Sequence, residues 1–71
     1  MDNDFSPSEA QLKSHNENIV VGLISDEAQA IERYTYAIDS IQDEEIKKKL
    51  IEIREDEQEH LKELNNILFK I

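Results

Sequence analysis

Glu57-Gln58-Glu59-His60 places a carboxylate and an imidazole three residues apart. On a helix that spacing puts both groups on one face, one turn apart, where they can converge on a single cation. The surrounding pattern supports a role beyond the surface. Ile46, Leu50, Ile53, Glu57, His60, Leu64, Ile67 and Ile71 step by 4, 3, 4, 3, 4, 3 and 4, the repeat of an inward seam on a helix packed against a partner. Glu57 and His60 stand where the other six positions hold Ile or Leu. A carboxylate withdrawn from water without a partner loses hydration worth several kcal/mol, so this seam requires a counter-charge.

A second seam precedes the first. Val20, Leu23, Glu27, Ile31, Tyr34, Ile38 and Ile41 step by 3, 4, 4, 3, 4 and 3, flanked by Ile24, Ala30 and Ala37. It too is interrupted by one carboxylate, Glu27. Asp39-Ser40-Ile41-Gln42-Asp43 is the turn between the seams, and without Gly or Pro it predicts a short, tight connection. A short connection makes the two helices antiparallel neighbours, and residues equidistant from it share a level. Glu27 lies 15 residues before Gln42 and Glu57 lies 15 after it, with His60 one turn beyond. The expectation is two carboxylates and an imidazole at one level, all pointing inward.

Two such hairpins related by a two-fold axis would form a four-helix bundle with four Glu and two His at its centre. Two divalent cations would cancel the four negative charges. Oxygen and imidazole donors without sulfur suit iron or manganese, accept zinc and disfavour copper(I). Tyr34, two turns after Glu27, either packs in the core or bonds a ligand carboxylate through its hydroxyl. Each residue also has a plainer explanation. A lone seam Glu sets register or reaches to water, a seam His is commonly a satisfied core residue, and Glu55-Asp56-Glu57-Gln58-Glu59 is typical of solvated surface. The shared level of Glu27, Glu57 and His60 is what favours a metal site. Asp26, Gln29, Glu52, Glu55, Asp56 and Glu59, with Arg33 and Arg54 among them, are expected on outer faces, where the acidic groups would concentrate cations. Tyr36 lies off the seam, and His15 is expected to be exposed and not a ligand.

The elements that position these residues are those of a small all-α unit. With 71 residues, no Cys, one Gly and one Pro, the chain can bury little surface alone, so oligomerisation is the expected route to stability. The absence of Cys excludes disulfides, thiolate zinc sites and iron–sulfur clusters. A net charge of −9, from 17 acidic and 8 basic residues, argues against nucleic acid and anionic membranes as partners. No membrane span and no export signal are expected, which is compatible with the cytoplasm. Residues 1–6 are expected to be flexible. Ser6-Pro7-Ser8-Glu9 predicts a helix start with Ser6 as cap and Glu9 completing the capping box. A first helix over about 7–41 follows, with a break allowed at Ser14-His15-Asn16-Glu17-Asn18, where helix propensity is poor. Gly22 weakens it by about 1 kcal/mol relative to Ala and would admit a close backbone approach. Asp43 is the N-cap of a second helix over about 43–70, with Glu44 and Glu45 favourably placed in its first turn.

Glu27-Ala28-Gln29-Ala30-Ile31-Glu32-Arg33-Tyr34, thirty residues from Glu27 to Glu57, and then Glu57-Gln58-Glu59-His60 together resemble the encapsulated ferritins, the two-helix members of the ferritin-like superfamily. The wider rubrerythrin-like group is similar through its Glu…Tyr…Glu-x-x-His pattern. The resemblance covers roughly residues 12–70. It implies a helical hairpin that dimerises into a four-helix bundle, with Glu27, Glu57 and His60 as ligands of a di-iron centre, two iron per dimer, and Tyr34 beside it. It further implies annular higher homo-oligomers inside an encapsulin shell and ferroxidase activity, with Fe(II) oxidised by dioxygen for iron storage. Three departures stand out. The family's outer acidic site falls on Asp26 and a neutral Gln29, the aromatic residue before its tyrosine is Arg33 here, and Phe69-Lys70-Ile71 does not resemble a cargo-targeting tail. The competing expectations are a rubrerythrin-like peroxide reductase, which normally carries a Cys-based electron site, and a non-catalytic helical oligomerisation module in which Glu27, Glu57 and His60 only fix register.

Overall fold

The computed structural model describes residues 7–71; the expected flexible segment 1–6, with Ser6 as cap, lies outside them. Two helices pack against each other, α1 over Glu9–Ser40 and α2 over Glu44–Lys70, and no strand occurs among the described residues. The N-cap of α1 is Ser8. Its hydroxyl oxygen accepts from the Gln11 amide at 3.1 Å, and Gln11 Oε1 accepts from the Ser8 amide at 2.8 Å. This reciprocal box is one that the expected Ser6–Glu9 pair overlapped, and the helix adopts the later of the two. With Ser8 as cap, Pro7 stands outside the helix and Glu9 enters the first turn, where its charge meets the helix dipole.

α1 continues without a break through Ser14–Asn18. The weak propensity there amounts to a few tenths of a kcal/mol per residue, and the cap upstream and packing from Glu17 and Val20 onward outweigh it. At the other end, Ser40 Oγ donates to the Tyr36 carbonyl at 2.8 Å and the extended Ile41 donates its amide to the Ala37 carbonyl at 3.0 Å. Residues 41–43 make the connection with no positive-φ residue among those described. Asp43 then caps α2, one carboxylate oxygen accepting from the amides of Glu45 and Ile46 at 2.9 and 3.0 Å.

The helices lie side by side in a rod 22 Å across and 13 Å thick. That thickness is about one helix with its side chains, so the hairpin is a single layer and neither broad face is covered. Ile38 is the one buried hydrophobic residue among those described. The contact between the helices follows two regular stripes. On α1 the half-buried or buried positions include Glu17, Val20, Ile24, Glu27, Ile31, Tyr34, Ile38 and Ile41. On α2 they include Lys47, Leu50, Arg54, Glu57, Leu61, Leu64, Leu68 and Ile71.

These stripes correct both expected seams. Leu23 is 46% exposed and Ile24 takes its place. On α2, Leu50, Glu57, Leu64 and Ile71 face α1 as expected, but Ile46, Ile53 and Ile67 are 47, 40 and 49% exposed. Positions 46, 53, 60 and 67 form a flanking stripe of their own, one heptad apart. The physical reason is the width of the apolar face. Three adjacent stripes on α2 are more than one neighbouring helix can cover, since a pairwise contact uses two. A single 3-and-4 count merges the covered stripe with the uncovered one.

Candidate metal site

Glu27 reaches the site from the middle of α1, and Glu57 and His60 from the second half of α2. Each offers one ligand atom, and the three atoms lie within 4.8 Å of one another. The two carboxylates sit at the level set by their equal distance from the 41–43 connection. Both are half-buried on the facing stripes. His60 differs from the inward placement expected of it: its side chain is 54% exposed against 22% for Glu57, and its Nδ1 stands 3.9 Å from Glu57 Oε1. It belongs to the flanking stripe with Ile46, Ile53 and Ile67, so the imidazole closes the site from the side of the uncovered face. The 3.9 Å separation is too long for a hydrogen bond and leaves space between the donors.

The triad sets two carboxylates against each other, and the orphaned atom shows where. Glu27 Oε2 is buried and has no hydrogen-bond partner. Two ionised carboxylates can only accept, so neither satisfies the other unless one carries a proton. Sharing that proton with Glu57 raises the Glu27 pKa above its ordinary 4.5; burial, the Glu57 charge and Asp26 push the same way, and only His60 opposes them. A divalent cation would remove the conflict by replacing the shared proton with a charge that all three donors favour.

The other sequence candidates are spread around the triad. Tyr34 is half-buried, two turns from Glu27 toward the connection, on the same α1 stripe. His15, Tyr36, Asp26 and Arg33 are exposed. Gln29 is exposed as well and donates from Nε2 to Ser25 Oγ at 3.3 Å. Arg54 departs from expectation: it is not on an outer face but half-buried on the α2 contact stripe, three residues before Glu57. Its Nη1 donates to Thr35 Oγ1 of α1 at 3.1 Å, and that hydroxyl donates to the Ile31 carbonyl at 2.9 Å. The signal was present in the sequence, since Lys47, Arg54, Leu61 and Leu68 form one heptad stripe, but the apolar count passed over it because its first two members are charged.

Among the described residues no helix is long and apolar enough to cross a membrane. Comparison with protein families, with curated proteins and with solved structures returns no match for the chain.

Proposed function

We propose that two hairpins pair through the face carrying Leu23, Ile46, Ile53 and Ile67, and that the resulting four-helix bundle is a di-iron ferroxidase. The observation that carries this reading is the Glu27–Glu57–His60 triad, drawn within 4.8 Å at the edge of an uncovered apolar stripe, with a carboxylate oxygen buried and unpartnered. The donor set of hard oxygen and imidazole fits iron, with manganese or zinc as substitutes. A two-fold axis through the uncovered face would bring two triads together, matching the ligand set of ferritin-like bundles in which two helices give one Glu each and two give Glu-x-x-His.

In this reading Fe(II) is the substrate, and the bound iron pair supplies electrons to dioxygen as it becomes Fe(III). Glu27 and Glu57 from both chains give four negative charges against the four positive charges of two divalent ions. His60 would supply a neutral nitrogen donor from the mouth of the site. Tyr34 would lie beside the carboxylates and orient them. The acidic composition, at −9 overall, supports attraction of cations toward the bundle. The sequence resemblance to encapsulated ferritins extends the proposal to iron storage by an annular homo-oligomer within an encapsulin nanocompartment of the cytoplasm.

The test is anaerobic loading of the full chain with Fe(II) followed by air. Appearance of the Fe(III) absorbance, abolished in Glu57→Ala, supports the proposal. Full activity in Glu57→Ala, or no oxidation above the protein-free rate, overturns it. An oligomer unmoved by chelator and stabilised when Glu27, Glu57 and His60 are all replaced by Leu would instead assign the triad a register role alone.

A further inference from the structure

The carboxylates meet only in one register of the hairpin, and without a cation between them that register is the least favourable one for two negative charges. Glu27 faces Glu57 because their numbers sum to 84, twice the midpoint of the connection. Sliding the antiparallel pair by one heptad keeps the apolar stripes matched and moves the connection by three or four residues. Glu27 would then face Leu50 or Leu64, and the repulsion between the two carboxylates would be relieved. The Asp43 cap resists moving the connection, and a contact between the helices can discriminate against the slipped states as well.

We infer that the Arg54–Thr35 hydrogen bond is a register lock, and that Arg54 acts through it as a positioning residue for the metal site proposed above. Arg54 comes from the contact stripe of α2 and its guanidinium runs toward the connection to reach Thr35 Oγ1 at 3.1 Å. The hydroxyl is the acceptor available on that line. One heptad either side of Thr35 stand Ala28 and Gln42; a slip toward Ala28 would place the guanidinium against a methyl group, and a slip toward Gln42 would draw Asp43, the cap of α2, into α1. Arg54 Nε is already buried and without a partner. Loss of the Thr35 acceptor would therefore leave a half-buried cation with still less to bond, and an uncompensated buried charge is strongly disfavoured. The lock works through exclusion: the Leu and Ile contacts tolerate several registers, whereas this polar pair excludes the slip toward Ala28 and the Asp43 cap opposes the other. A buried polar pair of this kind gains specificity rather than stability.

The chain has no Cys, so nitroxide labels can be placed at Asn18→Cys and Lys49→Cys, both exposed positions. Pulsed dipolar spectroscopy is run on labelled full-length chain diluted into excess unlabelled chain, so that the spacing within one hairpin is read. A single distance is expected for the parent. Arg54→Met should stay as helical and as thermally stable as the parent while adding a second distance population, displaced by up to about 10 Å for a seven-residue slide. Its affinity for Zn(II) should fall at least tenfold, and Arg54→Lys, which keeps a donor, should recover part of it. If Arg54→Met fails to fold, Thr35→Val decides, since it removes the acceptor with little change in shape. A single unchanged distance in whichever of these variants folds overturns the lock. Unchanged Zn(II) affinity in Arg54→Met overturns the positioning role. A parent chain with one distance that binds no divalent metal overturns the metal site and leaves the lock standing, so the two failures are distinct.

Discussion

Ile53 offers the sharpest test of the proposed pairing, on which the proposed metal centre depends. It sits one turn before Glu57 on the flanking stripe and is 40% exposed. Full burial of an Ile side chain is worth about 1.5–3 kcal/mol, so covering the exposed fraction gives roughly 0.6–1.2 kcal/mol per copy. A two-fold interface uses the same patch on both chains and counts the residue twice. Ile53→Ala should therefore weaken dimerisation by about 1.2–2.4 kcal/mol, or roughly 7- to 50-fold in Kd. Sedimentation equilibrium over a range of concentrations measures this directly. The matched control is Phe69→Ala, which removes a side chain that is 92% exposed and off the stripe. It should leave Kd unchanged. Equal weakening by both substitutions, or none by Ile53→Ala, would refute the assignment of this face as the interface.

Further outcomes follow from the triad and the caps. Glu57→Gln places an amide donor beside the orphaned Glu27 oxygen, so the metal-free protein should melt higher while Zn(II) affinity falls by more than the ~10–100-fold typical of losing an outer-shell partner; titration calorimetry with paired thermal melts checks both. Because Glu27 has a pKa raised above 4.5 in the folded state, its contribution to stability is fully present below pH 4.5 and is lost as pH rises through the raised value. Thermal melts in chelator from pH 4 to 8 should show that decline, and Glu57→Gln should flatten it. Metal affinity should run in the opposite direction, rising with pH as the shared proton is displaced. Asp43→Ala removes an acceptor that serves two amides and should cost about 1 kcal/mol in urea denaturation.

The hairpin and the level of its carboxylates were legible because they depend on simple counting. One gap in the apolar pattern, closed by Asp43 as a cap, locates the connection, and symmetry about it pairs Glu27 with Glu57. The facing surfaces were harder. Leu23 and Ile24 are adjacent and both apolar, and periodicity cannot choose between them; the choice is made by which stripe touches α2. Ile46, Ile53, His60 and Ile67 fit the same 3-and-4 rhythm as the covered positions, because the apolar face of α2 is wider than one contact covers. Charge alone points Arg54 outward. Its place inside depends on a single distant hydroxyl, Thr35, that no local pattern links to it. At the start of α1 two capping boxes overlap in the sequence, and each satisfies the same local rules.

A molecule one helix thick has no interior of its own to retreat into. On the pairing proposed above, its folded population would depend on how many copies share the same solution, because association would supply the shelter that a larger domain draws from its own chain. Abundance becomes part of the folding equilibrium: dilution should lower the melting temperature, and a cell making too little of the chain would hold it in a form open to proteases.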